Sequence, residues 1–277
     1  MAMPMEQLVE QYFRPGRLPH IWCPGCSNGI ITGTLVKAID KLGLAKDDIV
    51  IVSGIGCSSR ASGYLDFNTV HSAHGRALPF ATGVKLGNPK LTVIVVTGDG
   101  DATAIGGNHF IHSARRNIDL TVILFNNNTY GMTGGQSSPL TPTASKATTA
   151  PYGTIDRAFD IAELAKGAGA TFVARGTAFH ATMMSDIIAQ AIQHKGFSLV
   201  EAVSSCPVAY GRANELGDAP AMLKWQRDHA VPLAAYEKLD AEKQAGKFPI
   251  GVLFKQTAPE YAEEYAKLIA RVQEGGK

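Results

Sequence analysis

Leu91-Thr92-Val93-Ile94-Val95-Val96-Thr97-Gly98-Asp99-Gly100-Asp101 passes from a short apolar run straight into two glycines that flank a carboxylate. The run is too brief for a helix and is bounded by turn-forming residues, so it reads as a strand buried on both faces. Outward from it, the same kind of run recurs at Ile49 to Val52, Leu120 to Phe125, Thr171 to Ala174 and Leu199 to Val203. Helical patterns lie before and between them. Ile31, Leu35, Ile39 and Leu42 recur every three or four positions from Asn28 onward, with Gly43 as a stop, and helical spacing also covers residues 77–87, 102–115, 156–168 and 178–195. Strand alternating with helix, the strands apolar throughout, predicts an α/β fold: a parallel sheet with helices on both faces.

Ligands of such sheets bind beyond the carboxyl ends of the strands, where loops and helix N-termini converge. The residues that follow each strand therefore carry the functional reading. They are Ser53-Gly54-Ile55-Gly56-Cys57-Ser58-Ser59-Arg60, Thr97-Gly98-Asp99-Gly100-Asp101, Asn126-Asn127-Asn128-Thr129-Tyr130-Gly131 and Ser204-Ser205-Cys206-Pro207. Polar and sulfur-bearing side chains gather on one edge. After Pro207 the strand-helix rhythm stops, and Pro220, Pro232, Pro249 and Pro259 punctuate helical pieces such as Ala219 to Asp228 and Glu260 to Gln273. Residues 1–210 are expected to form the ligand-binding domain, and residues 211–277 a C-terminal extension that wraps it or contacts a partner.

The 277 residues are 45% apolar, enough for a sizeable core, and 18% charged, with 26 Lys and Arg against 24 Asp and Glu. A net charge of +2 excludes a nucleic-acid binder that works by bulk electrostatics, and the composition argues against a disordered tail. No stretch approaches the roughly 18 consecutive apolar residues of a membrane span, and the N-terminus lacks the apolar core of a signal peptide, so a cytoplasmic location is expected. In that reducing setting the four cysteines read as core residues, redox groups or metal ligands, not as disulfides.

Gly98-Asp99-Gly100, followed after residues 101–125 by Asn126-Asn127, is the most specific signal. The glycines let backbone approach a diphosphate at a helix N-terminus, and Asp99 supplies a hard oxygen to Mg²⁺. Asn127 can add an amide oxygen and Thr129 a carbonyl, leaving the remaining octahedral positions to phosphate oxygens and water. One helix and one strand separate the two halves, so both arrive at neighbouring strand ends. The plainer reading, a turn that tolerates left-handed backbone, explains either half alone but not their interval. A dinucleotide site fits less well, because Gly98-x-Gly100-x-x-Thr103 and Gly54-x-Gly56-x-x-Ser59 both lack the third glycine.

The cysteines stand at 23, 26, 57 and 206. Trp22 ahead of Cys23-Pro24-Gly25-Cys26 suggests a thioredoxin-like pair, but such a pair follows a strand of its own βαβ unit, and only a short polar arm precedes this one. Structural zinc usually takes two close CxxC pairs. A [4Fe-4S] cluster takes four thiolates from any convergent loops, and Pro24 and Pro207 follow cysteines as proline does in such sites. Spacing favours the cluster and leaves zinc open.

These motifs together resemble a known family. Gly98-Asp99-Gly100 to Asn127 looks like the thiamine diphosphate motif, and the longer runs Val95 to Asp101 and Asn126 to Gln136 resemble the beta subunit of 2-oxoacid:ferredoxin oxidoreductases. The likeness extends from about Arg17 to Tyr210 and takes in Cys23-Pro24-Gly25-Cys26 and Gly54-Ile55-Gly56-Cys57-Ser58. It implies the thiamine-diphosphate-binding fold, with Mg²⁺ on Asp99, Asn127 and Thr129. It implies cofactor contacts from Ile55, Gly56, Cys57, Ser58, His74, Gly100, Asp101, Gly131 and Met132, and a [4Fe-4S] cluster on Cys23, Cys26, Cys57 and Cys206. The implied activity is oxidative decarboxylation of a 2-oxoacid to acyl-CoA and CO₂, electrons leaving through the cluster to ferredoxin. An alpha subunit would supply the glutamate that activates thiamine, because this chain has strands for one thiamine-fold domain. Gly134 and Arg60 depart from the pattern, since some members carry lysine at each.

His109 and His112 share a predicted helix face and read as solvated, whereas His74, in His74-Gly75-Arg76 before a helix, is placed to donate to a diphosphate. Arg60 with His71, His74 and Arg76 makes a cationic mouth. Such a mouth meets two carboxylates better than one, because an unpaired charge in a closed pocket is costly. Arg60 and His74 are therefore the candidate catalytic residues, and 2-oxoglutarate is expected over pyruvate or a branched-chain 2-oxoacid. Two rival classes each leave a motif over: a non-redox thiamine decarboxylase subunit does not use the cysteines, and an iron-sulfur or zinc scaffold does not use Gly98-Asp99-Gly100.

Overall fold

A computed structural model of the chain describes residues 3–275. Each apolar run forms a strand: β1 (Ile49–Ser53), β3 (Thr92–Gly98), β4 (Thr121–Asn126), β5 (Phe172–Thr177) and β6 (Ser198–Val203). With the edge strand β2 (Asn68–His71), reached through the short helix α3 (Ala61–Tyr64), they lie in the order β2-β1-β3-β4-β6-β5, all parallel. The central strands are apolar throughout because successive side chains serve two cores. Ile49, Ile51, Ile94, Val96, Ile123 and Phe125 point to one face, under α1 (Met5–Tyr12), α2 (Asn28–Leu42) and α7 (Ala181–Gln193). Val50, Val52, Val93, Val95, Val122 and Leu124 point to the other, under α4 (Ala77–Gly87), α5 (Gly107–Arg115) and α6 (Ile161–Ala168). Each such buried side chain contributes about 1.5–3 kcal/mol, so a helix covers each face of the sheet along most of its width.

Of the five expected helices, those over 28–42 and 77–87 keep their bounds and the other three begin later, at Gly107, Ile161 and Ala181. Helix α2 ends on Gly43, whose φ of 61° is the left-handed stop that glycine supplies. Helix α6 begins after Asp160, not at 156, because the Asp160 carboxylate accepts from the backbone of Ala162 and Glu163 and caps it there. The segment expected to start a helix at 102 opens instead with a π-helical turn, Asp101–Ile105, before α5.

The extension also differs from expectation. Beyond α8 (Ala219–His229) the chain adds β7 (Ala230–Pro232), the short helices α9 (Leu233–Tyr236) and α10 (Ala241–Gln244), and β8 (Phe248–Lys255), which pairs antiparallel with β5, so the sheet has eight strands and is not wholly parallel. Pro249 and Gly251 obscure β8 in the sequence; Pro249 lies outside the stretch paired with β5, opposite Val231 of the short β7, and Gly251 takes a φ of 109° that glycine allows. Helix α11 (Tyr261–Gln273) follows, capped by Glu260, which also accepts from the Asp119 backbone at 3.0 Å. Among the described residues no helix is long and apolar enough to cross a membrane.

Candidate active site

One pocket opens at the carboxyl ends of β1, β3 and β4. Ile55, Gly56, Cys57, Ser58, His74, Asp99, Gly100, Asp101, Asn127, Thr129, Gly131 and Met132 all line it, as do Asn28 and Tyr130. Asp101 organises its floor. One carboxylate oxygen accepts from Ile55 N at 3.2 Å and Gly75 N at 2.7 Å and lies 2.7 Å from His74 Nδ1; the other accepts from Thr97 Oγ1 at 2.7 Å. Both oxygens of a buried carboxylate are thus used to tie the loops after β1, β2 and β3 together. The tie requires glycine at 54, since a Cβ there would overlap the Asp101 carboxylate. Gly100 is required for a similar reason: a Cβ would enter the Tyr130 ring, whose hydroxyl donates to the Gly100 carbonyl at 3.2 Å.

Asp99 and the Asn127 turn meet as the interval between them requires. The Asp99 carboxyl is buried and accepts from the Ser138 hydroxyl at 2.6 Å, with the backbone N–H groups of Gly100 and Thr129 close by. Burial pushes its pKa up to about 7, an effect those donors only partly oppose. No lysine or arginine among the described residues pairs with it. A buried carboxylate beside an amide and a carbonyl oxygen is a hard-oxygen set that suits Mg²⁺, and the cation would offset the cost that burial imposes.

Asn127 is braced from behind. Asn126 Nδ2 donates to Glu201 Oε1 at 2.8 Å, and Asn126 Oδ1 accepts from Asn128 N at 3.1 Å. Glu201 in turn pairs with Arg175 at 2.6 Å, and Arg175 reaches Asp160, the cap of α6, at 2.8 Å. Arg175 and Glu201 are both buried, on adjacent strands. Glu201→Ala leaves a buried guanidinium without its main partner, and the expected cost is about 3–5 kcal/mol in chemical denaturation. A loss under about 1 kcal/mol would show that the pair is solvated.

Of the four cysteines Cys57 lines this pocket; Cys23 is exposed, and the loops that carry Cys23, Cys26 and Cys206 are tied to it. Trp22 Nε1 donates to the Cys57 carbonyl at 2.7 Å, and the Ser205 N–H donates to Ser27 Oγ at 2.6 Å, which ties the CxxC loop to the loops after β1 and β6. A Cβ on Gly131 would stand 3.4 Å from Cys57 Sγ and 3.5 Å from Cys206 Sγ. None of the four cysteines forms a disulfide. Burial pushes the Cys26 thiol up to about 12, and the Cys206, Cys57 and Cys23 sulfurs raise it further; Cys57 is pushed up to about 11 by burial and by Cys206 and Cys23. Burial, with the neighbouring sulfurs, disfavours thiolate charge on Cys26 and Cys57, a cost that bound iron would offset.

Arg60 lies elsewhere. Ser58–Arg60 is a helical turn, and residues two apart on such a turn face roughly opposite ways. Ser58 lines the main pocket, whereas Arg60 lines a neighbouring cleft with Arg14, Arg17, Tyr64 and His71. Sequence reasoning assigned no role to Asn28, Tyr130 or Ser138. Tyr130 was within reach of it, as a bulky residue in the quoted Asn126 to Gln136 run opposite a glycine; Ser138 and Asn28 carry no local signal.

Residues 54–202 match the family described as thiamine pyrophosphate enzyme, C-terminal TPP binding domain. The 2-oxoglutarate synthase subunit KorB of Methanocaldococcus jannaschii is 49% identical over 263 residues, covering 95% of this chain and 97% of that one. The subunit of the same name from Archaeoglobus fulgidus is 48% identical over 273 residues, 98% of each chain. Among solved structures, the 2-oxoglutarate:ferredoxin oxidoreductase from Magnetococcus marinus with 2-oxoglutarate, coenzyme A and succinyl-CoA bound aligns at a TM-score of 0.85 and 33% identity, over 97% of this chain and 91% of that one. With a thiamine-binding match that begins at the pocket's own Gly54 loop and relatives aligned nearly end to end, the chain belongs to the beta subunits of 2-oxoacid:ferredoxin oxidoreductases, the family of the KorB subunits.

Proposed function

We propose that this chain is the thiamine- and cluster-bearing subunit of a CoA-dependent 2-oxoglutarate:ferredoxin oxidoreductase, which converts the 2-oxoacid to acyl-CoA and CO₂. One observation carries the reading: Asp99, Asn127 and Thr129 line one pocket with Cys57, and Gly131 in that lining stands against both the Cys57 and the Cys206 sulfurs. When bound, thiamine diphosphate supplies the electron sink for loss of CO₂, and an iron-sulfur cluster the one-electron path outward. The residues of this chain do the holding. Asp99, Asn127 and the Thr129 carbonyl take Mg²⁺; Gly100, Gly131, Met132 and the Ile55 to Ser58 loop shape the cofactor cradle. Asp101 keeps that cradle closed and orients His74. Cys23, Cys26, Cys57 and Cys206 take the cluster, and the reducing cytoplasm is the compartment that suits them.

The family relationship supports a second subunit, and the surface agrees with one. Ile55 and Met132 at the pocket lining are 42% and 49% exposed, and Ile105, packed against Gly75 beside His74, is 51% exposed. Apolar side chains at the rim of a polar pocket mark a surface that another chain covers. That chain would bring the activating glutamate. On α11, Tyr261, Tyr265, Leu268, Ile269 and Val272 recur at helical spacing and are exposed, so the extension beyond residue 211 offers a second contact face.

The names of the relatives and the ligands of the Magnetococcus marinus structure favour 2-oxoglutarate. So does the cleft beside the pocket, where Arg14, Arg17, Arg60 and His71 gather with no acidic residue in the lining. Arg60→Ala is expected to lower kcat/KM for 2-oxoglutarate about 10–100-fold, the value of a charge-assisted hydrogen bond, and to spare any residual turnover of pyruvate. The complex reconstituted anaerobically with its alpha subunit tests the whole reading through thiamine, iron and sulfide content and CoA-dependent ferredoxin reduction. Preference for pyruvate by tenfold or more would overturn the substrate and leave the chemistry, whereas turnover by the isolated chain would overturn the partner.

A further inference from the structure

Asn28 is fully buried at the start of α2, yet its side-chain Nδ2 has no hydrogen-bond partner among the described residues. The same side chain lines the pocket that Cys57, Asn127 and Gly131 line. Its oxygens are occupied. Oδ1 accepts from the Ser204 hydroxyl and the backbone carbonyl from Thr32 Oγ1, each at 2.8 Å, and the backbone N–H lies close to the Cys26 thiol. Ser204 is held by Ser27 Oγ at 3.1 Å and by its own N–H on the Asn126 carbonyl at 2.7 Å. The amide is therefore clamped between the loop that carries Cys26 and the loop that carries Cys206, with one donor left over. A buried donor without a partner costs about 1–3 kcal/mol, so the side chain is out of place unless a bound group accepts from it.

We infer that Asn28 Nδ2 donates a hydrogen bond to a sulfur of the iron-sulfur cluster and thereby raises its reduction potential. The inference rests on the cluster assignment made under Proposed function. Asn28 stands two residues after Cys26, and its anchor Ser204 two residues before Cys206, so the donor keeps its position relative to both cysteine loops. Reduction adds a negative charge that the sulfurs share, and a fixed donor stabilises the reduced form more than the oxidised one. The effect would ease electron transfer from thiamine onto the cluster.

The test is an anaerobic redox titration of the assembled holoenzyme, followed by electron paramagnetic resonance, for the wild type, Asn28→Leu and Asn28→Asp. Leu keeps the volume and removes the donor; Asp keeps the shape and turns an acceptor-only charge toward the sulfur. At a fixed applied potential the reduced-to-oxidised ratio should fall about tenfold in Asn28→Leu, ~59 mV for a one-electron couple, and further in Asn28→Asp. Thiamine diphosphate affinity, measured separately, should not change. Where either variant fails to take up iron, Asn28→Ala is titrated in its place with the expectation set for Leu. Wild-type potentials in the variants overturn the inference, as does a fall in thiamine diphosphate affinity with the potential unmoved, which would assign the amide to thiamine instead. A wild-type complex without a cluster sinks the underlying assignment, a result distinguishable from both.

Discussion

Asp99→Ala is expected to give a folded chain that retains neither Mg²⁺ nor thiamine diphosphate. Among the described residues Asp99 and Asp101 are the acidic side chains that line the pocket with Asn127 and Thr129, and both oxygens of Asp101 are committed to the surrounding loops, which leaves Asp99 to meet a metal. Losing a residue that merely supports a ligand costs about 10–100-fold in metal affinity, and losing the charged ligand itself should exceed that range. The fold should survive, since burial already holds this carboxyl well above the usual carboxylate range and its ionised form gains little from the protein.

The same feature gives a pH dependence of known sign. Because the folded pKa, about 7, lies above an unfolded value near 3.9, the group's contribution to stability is present below about pH 4 and is lost as pH rises to 7. Metal-free wild type should therefore lose stability relative to Asp99→Asn between about pH 4 and 7, and Mg²⁺ with thiamine diphosphate should close the gap. Thermal denaturation with and without cofactor, together with equilibrium dialysis, measures both effects. Unaltered cofactor affinity in Asp99→Ala would falsify the metal assignment.

Cys206→Ser is expected to abolish the cluster and ferredoxin reduction while thiamine diphosphate still binds. Cys206 comes from the loop after β6, far in sequence from the other three cysteines, and its sulfur shares the Gly131 contact with Cys57. A serine hydroxyl at this position is a poor iron ligand, and three thiolates leave one corner of the cluster open to solvent and oxygen. Iron and sulfide content and the visible absorption of anaerobically prepared protein check the loss. Full iron and sulfide with undiminished ferredoxin reduction in the serine variant would remove Cys206 from the ligand set. Zinc bound in place of iron would revive the reading that cysteine spacing left open.

The two variants separate halves of one pocket whose components differ in how legible they were. The strands announced themselves because a strand buried on both faces must be apolar at every position, so Val93 to Val96 and Ile49 to Val52 carry the fold in their composition. Helix α2 was equally plain, since its period and its terminal glycine are local properties. The Asp99 to Asn127 interval could be read because one helix and one strand fix how far the chain travels before it returns to the same edge. Asp160 carries a local cap signature, with Glu163 three residues on, which the helical spacing from 156 masked; the extension's β8 could not be read as a strand, because Pro249 and Gly251 contradict the local signal and the pairing with β5 overrides it.

Sequence by itself determined the layered sheet, the edge on which ligands bind and the identity of the residues gathered there, all of which follow from periodicity and from the order of the chain. Only the tertiary structure decided which atoms of those residues are free. It committed both oxygens of Asp101 to the loops, turned Arg60 into the neighbouring cleft, joined Arg175 to Glu201 behind Asn126, and left the side-chain nitrogen of Asn28 without a partner among the described residues. Hydrogen-bond saturation and side-chain direction depend on residues distant in sequence but within about 3 Å in space, and no local pattern encodes them.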